Sequence, residues 1–525
     1  VIDINFYLAL CSVVTLGLLL APKSGKYSRL LILFQFTLLV FAFFSKKNFL
    51  TVISLESLSY IYFFLYPKDH KDQGRSISSF IVSGSISAIF LSVWIFLPSQ
   101  SIIGTYFLAV AVFIKSSLLL FHFWMPSAYE NGTAEINSFS SGVMAIFPFF
   151  LFLEFVYPLW NEPIFYLILA SIASTGVFVG GVSSYFQSKV SLLLAYSSIE
   201  KLNFLWLCIA LAGIAKTTTD TGFHILEKPF LILFYFGLIQ HSISKVFQFS
   251  LMGRIWKSPY LNQLNNIRGM GRLLGIPTAL SIIGTMSFMA IPGTSGFLVE
   301  SMYLLLSSQV LDIQSGRSIA VLPVLVLVFT GLVTGGVSHL RLFYTVFLST
   351  VRTTELEIKP TIENSKYNLD LYWLATMILL PSLTLPFFWN EYFPGTTGVW
   401  LKDAGILSFV SLGFVIVVML FSPKKKIKQA TWDCGSKADI TRTSVTGETY
   451  SLPVRSSLGR YLVKSNGESR LDSTVYKFIH TLLNPYWYRI KQMLDEEDLS
   501  NYLAISSGGV LVILLLFFIK DILGY

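Results

Sequence analysis

The residues able to do chemistry in this sequence are acids and bases set inside apolar runs. Glu56 sits within Ser54-Leu55-Glu56-Ser57-Leu58, and Lys115 within Phe113-Ile114-Lys115-Ser116-Ser117. Glu200 and Lys201 are neighbours, His241 and Lys245 are four residues apart, and Glu300 follows Pro292-Gly293-Thr294-Ser295-Gly296. A spacing of four places His241 and Lys245 on one helical face. An ionised side chain at the centre of a membrane helix costs at least about 2.5–3.5 kcal/mol, so those retained there need a partner, water or a task. A lysine stripped of hydration binds its proton weakly, and an approaching carboxylate strengthens that hold. Lysines and glutamates in such surroundings can therefore take up and release protons as partners approach and leave. The same residues could instead be fixed ion pairs that hold helices together. Their recurrence at separate sites along the chain favours an ion path.

Two further features bear on that path. Pro292-Gly293 interrupts a helix in its middle and frees backbone carbonyls, which membrane proteins tolerate only beside protein or a water-filled cavity. Transporters place ion sites at such breaks. His122 follows Lys115 by two turns of an unbroken helix, where it would extend the path or cap the helix near the interface.

These groups need a scaffold that crosses hydrocarbon repeatedly. Of 525 residues, 54% are hydrophobic and 13% charged, against about 25% charged in a soluble domain. Runs such as 77–97 and 230–251 are long enough to cross about 30 Å of hydrocarbon. The period-two alternation of a membrane barrel is missing. The expected fold is an all-α polytopic membrane protein with broken helices and about fourteen spans. They fall near 4–21, 29–45, 48–66, 77–97, 102–122, 136–158, 163–186, 189–214, 229–252, 277–306, 318–348, 370–393, 404–422 and 503–523.

Orientation follows from the basic loops. With the N-terminus outside, Lys23, Lys26 and Arg29 fall in the cytoplasm, as do Lys68, Lys71 and Arg75, Lys189, Arg254, Lys257, Arg268 and Arg272, and Lys424 to Lys426. Only scattered charges such as Lys46, Lys47, Lys216 and Arg317 fall outside. Both termini are therefore expected on the outer side of the cell's inner membrane. The net charge of +9 is explained by these loops and does not point to nucleic acid. Cys11, Cys208 and Cys434 lie far apart with no metal-ligand spacing, so any redox centre is expected in a partner. No signal peptide with a small-residue cleavage site is expected.

The segment 423–500 is polar and basic, too long for a turn. Within it, Val475, Phe478, Ile479, Leu482 and Leu483 recur at helical spacing among Lys477, His480, Arg489 and Lys491. This pattern predicts an amphipathic helix along the membrane surface over 471–494, kinked at Asn484-Pro485. A plain cytoplasmic extension is the alternative.

Several motifs, in order along the chain, resemble those of the antiporter-like membrane subunits of complex I, of multi-subunit cation/proton antiporters and of membrane-bound hydrogenases. They are Lys115-Ser116-Ser117 through Phe123-Trp124-Met125-Pro126-Ser127-Ala128, then Leu194-Ala195-Tyr196-Ser197-Ser198-Ile199-Glu200, Gln240-His241-Ser242-Ile243-Ser244-Lys245, and Ile291-Pro292-Gly293-Thr294-Ser295-Gly296-Phe297. The resemblance covers roughly 48–350. Ala430-Thr431-Trp432-Asp433-Cys434-Gly435 and Tyr450-Ser451-Leu452-Pro453 are similar to a segment of the large membrane subunit (component B) of formate hydrogenlyase and hydrogenase-4. For Cys434, a packed loop thiol is preferred to a redox role.

That resemblance implies N-terminal spans over 1–47, an ion-translocation core over 48–350, additional spans over 351–422, a polar segment with a lateral helix over 423–500, and an anchoring span over 501–525. It implies that Glu56 and Lys115 are a charge-coupled pair. Lys245 would be the central proton carrier beside His241, and Glu300 the exchange residue, with Glu200 and Lys201 bridging the interval. It also implies no catalytic site or cofactor in this chain. Nickel–iron and iron–sulfur centres would sit in partner subunits, and the partners would be further membrane subunits and a soluble redox arm. The sequence departs from the family where Ile146 replaces an expected Lys or His, and where Gly237 replaces a His four residues before His241. The family's large members usually carry four spans before the Glu56 helix, where two are expected in this sequence. A proton-translocating subunit of a redox complex is the leading expectation. A cation/proton antiporter or ion-driven inorganic-carbon uptake subunit, and a structural subunit with a degenerate channel, remain open, as does sodium in place of protons.

Overall fold

The computed structural model describes residues 4–421 except 22–25, 46, 65–72, 99–100, 219–220, 256–259, 314–317, 350–367 and 390–395. The Trp432-Asp433-Cys434-Gly435 segment, the helix expected over 471–494 and the span expected over 503–523 lie outside the described residues.

Among the described residues the chain is helical, apart from an isolated bridge between Lys189 and Gln263. The first helices are α1 (Ile4–Leu20), α2 (Lys26–Ser45), α3 (Phe49–Phe64), α4 (Gln73–Phe96), α5 (Ile102–Lys115) and α6 (Trp124–Asn131). Helix α7 (Ala134–Phe139) runs through a π-helical turn, Ser140–Met144, into α8 (Ile146–Leu151) and a second π-helical turn, Phe152–Val156. There follow α9 (Pro163–Phe186), α10 (Val190–Thr217), the short α11 (Thr221–His224), α12 (Glu227–Met252) and the short α13 (Gly271–Leu274). The last are α14 (Ile276–Phe288), α15 (Ser295–Ile313), α16 (Ser318–Phe343) with a π-helical turn at Tyr344–Leu348, α17 (Leu369–Trp389) and α18 (Thr396–Phe421). Every expected span up to 404–422 falls on these elements. Six helices among the described residues are individually long and apolar enough to cross a membrane, including Pro163–Phe186, Val190–Thr217 and Gly222–Met252. The others are shorter or interrupted. The chain is a multi-pass helical membrane protein.

Helix α10 is the centre of the bundle. It is enclosed by α9, α12 and α16, and its residues from Ser197 to Ala210 are all buried. Apolar side chains face outward instead on the surrounding helices, for example Leu30, Phe34 and Phe44 on α2, Val326, Phe329 and Val333 on α16, and Phe409, Val410 and Phe414 on α18. Association among such helices relies on close packing, because lipid is as apolar as the helices themselves. Small residues supply it where α9 crosses α16: a Cβ on Gly181 would lie 2.1 Å from the Gly331 carbonyl oxygen.

Two spans are broken. The sequence announces one of them, since α14 ends at Phe288 and α15 begins at Ser295 across Pro292-Gly293. Here Ala290 and Gly293 take φ of 51° and 102°, and the Thr294 hydroxyl donates to the Ile291 carbonyl at 2.8 Å. The other corrects the continuous span expected over 102–122. Helix α5 stops at Lys115, and Ser117 and Leu120 adopt φ of 54° and 81°, a conformation costing roughly 1–2 kcal/mol per residue outside glycine. Side chains from elsewhere hold the break. Asn203 donates to the Ser117 carbonyl at 3.2 Å and accepts from the Leu119 N–H at 2.9 Å. The Trp206 indole donates to the Ser116 hydroxyl at 2.8 Å, and the Trp124 indole to the Ile114 carbonyl at 2.9 Å. His122 is consequently not in helical register with Lys115.

Replacing Gly331 with Val is expected to destabilise the α9–α16 crossing by at least about 1–3 kcal/mol, the usual cost of overpacking. Thermal unfolding of the detergent-solubilised protein checks this, and an unchanged midpoint would contradict the close crossing.

Candidate functional site

The polar groups inside the bundle form three stations. At the first, Glu56 on α3 meets Lys115 on the last turn of α5, with Nζ 3.1 Å from Oε1. The side chains are 11% and 16% exposed. The chain break immediately after Lys115 leaves carbonyls without helical partners, and their partial negative charge favours a cation at this end of the helix. Beside the lysine is a cavity of about 40 Å³, lined by Lys115, Ser83 and Ser140 among apolar residues such as Leu55 and Phe80. One water needs about 10–15 Å³ of such space, so the cavity has room for water between Lys115 and Ser140, its polar lining residues with Ser83.

The second station begins at the π-helical turn at Ser140. A π-helical turn displaces carbonyls from their usual partners, and the Ser141 carbonyl is met by His241 Nε2 at 3.1 Å. A carbonyl only accepts, so Nε2 carries the hydrogen and Nδ1 presents a lone pair; Nδ1 has no hydrogen-bond partner. The Ser141 hydroxyl lies 3.1 Å from that of Ser198 on α10. One turn further along α12, Lys245 is fully buried. Its ammonium donates to the Leu194 carbonyl at 3.1 Å and to the Ser197 hydroxyl, and it lies 5.0 Å from the Phe288 ring centroid. Among the described residues no carboxylate is paired with Lys245.

The third station is a triad. Lys201 lies 3.1 Å from Glu200 and donates to Glu300 on α15 at 2.8 Å. Glu200 is held where α16 approaches α10: a Cβ on Gly335 would lie 2.0 Å from Glu200 Oε2. The second chain break delivers both ends of this region. Phe288, the last residue of α14, reaches Lys245, while Glu300 lies on the following half-helix. Ser244 on α12 lies 3.1 Å from Ser287.

Of the candidate residues, Glu56, Glu200, Lys201, His241 and Lys245 are buried and Lys115 and Glu300 partly buried, and the fold pairs Glu56 with Lys115 and joins Lys201 to both Glu200 and Glu300. His241 and Lys245 share a face, as their spacing requires. Sequence reasoning missed His339. It is buried on α16, and its ring stacks on Phe288 at 3.7 Å and 8°. No motif marks it, and only the neighbouring Gly335-Gly336 hints at a tight helix crossing. Of the two family departures, Ile146 is wholly buried in the apolar core. At Gly237 a Cβ would lie 2.8 Å from Leu205 Cδ2, so a larger side chain requires Leu205 to move.

Comparison with known proteins bears on this arrangement. Residues 80–330 match the family described as NADH:quinone oxidoreductase/Mrp antiporter, transmembrane. Over 195 residues the chain is 27% identical to the NAD(P)H-quinone oxidoreductase chain 4-3 of Nostoc sp. (strain PCC 7120). That match covers 37% of this chain and 32% of the relative, about a third of its length. Among solved structures, the membrane-bound sulfane sulfur reductase, an archaeal respiratory membrane complex, superposes with a TM-score of 0.68 at 18% identity, covering 98% of this chain and 88% of that one. A chain of the Mrp complex from Dietzia sp. DQ12-45-1b gives 0.58 at 15% identity, covering 94% and 51%. A chain of respiratory complex I from Thermus thermophilus with bound Aureothin gives 0.53 at 19% identity, covering 73% and 85%. At these identities the structural likeness is one of fold.

Glu56→Gln or Lys115→Met alone should lower stability by about 3–5 kcal/mol, because each leaves an uncompensated buried charge, and the double variant should recover part of the loss. Unfolding measurements on the full cycle check this; strictly additive losses would show that the two charges do not interact.

Proposed function

We propose that this chain, an antiporter-like membrane subunit of the kind shared by Mrp antiporters and complex I, translocates protons within a multi-subunit redox complex of the membrane-bound hydrogenase or formate hydrogenlyase type. Lys245 is the observation that carries this reading. It is fully buried, unpaired by any carboxylate among the described residues, and solvated by the Ser197 hydroxyl and the Leu194 carbonyl. Ion pairs at Glu56–Lys115 and Glu200–Lys201–Glu300 accompany it. A fixed structural charge would be expected to have a counterion; one that must gain and lose a proton needs surroundings that tolerate both states.

In the mechanism that follows, Lys115 gives up its proton as it separates from Glu56. The proton passes through the cavity toward Ser140, and onward to His241 or Lys245. A protonated Lys245 is then drawn toward the net negative triad, whose Glu300 exchanges with the next compartment or subunit. Moving a proton against about 180 mV costs about 4 kcal/mol, at roughly 2.3 kcal/mol per 100 mV. Each tenfold change in a lysine's proton affinity corresponds to about 1.36 kcal/mol. A change of about a thousandfold between paired and unpaired states therefore covers the cost.

The hydrogenase and formate hydrogenlyase assignment is supported by the resemblance of Trp432-Asp433-Cys434-Gly435 and Tyr450-Ser451-Leu452-Pro453. On this reading the residues 48–350 are the translocation core, 471–494 a lateral helix and 501–525 an anchor in the cell's inner membrane, with both termini outside. Partner subunits supply the nickel–iron and iron–sulfur centres and the soluble arm. The apolar burial of Ile146 favours a second reading, a structural subunit whose channel has decayed.

Proton uptake by sealed vesicles carrying the purified complex, driven by its own redox reaction, separates the two. Lys245→Ala is expected to abolish uptake while assembly persists. Uptake equal to wild type would make the path through this chain vestigial.

A further inference from the structure

The interval between Lys245 and the Glu200 triad contains a group whose chemistry is unused. His339 on α16 is 1% exposed, and neither of its ring nitrogens has a hydrogen-bond partner among the described residues. Burying an imidazole with both nitrogens unpaired is costly, and such orphaned groups in native proteins call for a specific explanation. Across the same interface, Glu200 Oε1 is ion-paired with Lys201 at 3.1 Å, while Oε2 has no hydrogen-bond partner among the described residues. Imidazole nitrogens and one acceptor oxygen thus remain open on the two helices that meet here.

Their placement is set by the backbone. Gly335 lies four residues before His339, so both occupy one face of α16, and the backbone at Gly335 abuts the Glu200 carboxylate. Phe288 fixes the other side, since the His339 ring stacks on it at 3.7 Å while the Lys245 ammonium lies 5.0 Å from its centroid. The ring therefore shares Phe288 with Lys245 from α12 and lies one helical turn from the backbone that abuts Glu200 on α10. Lys245 and Lys201 are the cations that act on it electrostatically.

We propose that His339 is a proton relay between Lys245 and Glu200. In the transfer, the Lys245 ammonium gives up one proton and becomes a neutral amine. The imidazole gains that proton on one nitrogen and releases the other nitrogen's proton to the Glu200 carboxylate. One proton moves, the ring returns as the opposite neutral tautomer, and rotation or a reverse proton exchange through water restores it. Imidazole is suited to this because it can accept at one nitrogen while donating from the other. The proposal rests on the proton-translocating reading given above and adds a residue to its path.

The test uses the whole complex in sealed vesicles. His339→Phe keeps a ring to stack on Phe288 and removes both nitrogens, whereas His339→Gln keeps polar atoms that do not titrate. Each is compared with wild type and with Lys245→Ala, after assembly and electron transfer have been verified. We expect proton uptake per electron to fall at least tenfold in both His339 variants. Normal uptake in either one overturns the relay, because a structural imidazole is replaceable by a ring or by a polar group. If Lys245→Ala abolishes uptake and a His339 variant does not, the relay fails while the wider reading stands. If Lys245→Ala itself leaves uptake intact, both fail. Loss of assembly in both, and in the smaller His339→Asn, would mark the residue as structural and overturn the relay.

Discussion

The structure depends on one constraint: an unsatisfied charge or backbone polar group inside a low-dielectric bundle costs several kcal/mol. The break after Lys115 is tenable because Asn203, Trp124 and Trp206 take up backbone and hydroxyl groups that the helix ladder no longer serves. The break between α14 and α15 is held by Thr294 and by the φ of Gly293. Lys115 and Lys201 have carboxylates at ion-pair distance. Groups that escape the constraint among the described residues, Lys245 without a carboxylate and His339 without a hydrogen bond, are therefore the informative ones.

Close packing makes the polar interior possible. Without a hydrophobic force to drive helices together in lipid, backbone approach must do so. Gly181 and Gly331 bring α9 and α16 into near contact, and Gly335 leaves just enough room for the Glu200 carboxylate. The same approach seats His339 against Phe288. Packing and polarity are thus one design at this interface, so a side chain that fills the notch would displace the acid as well as separate the helices.

The two departures from the family pattern differ in their consequences. Gly237 abuts the end of the Leu205 side chain, so a histidine there would require that side chain to shift. Ile146 is apolar and enclosed, yet the neighbouring turn supplies Ser140 at the cavity and Ser141 toward His241. Hydroxyls and room for water therefore stand near the position where an ionisable side chain is missing.

Apolar runs of membrane length determined the all-α polytopic fold and nearly every span, because hydrocarbon thickness dictates element length directly. Charges placed within those runs drew attention to Glu56, Lys115, Glu200, Lys201, His241, Lys245 and Glu300, since an ionised side chain is costly there. Pro292-Gly293 likewise declared its own helix break. Three-dimensional packing alone decided the rest. The break after Lys115 has no proline or glycine at it and is held by Asn203 and Trp206, which lie far away in sequence. Lys201 became the bridge between Glu200 and Glu300 only once α10 met α15. His339 gained significance only when α16 set it beside Phe288, because the environment of a buried imidazole comes from neighbouring helices and leaves no mark in the local sequence.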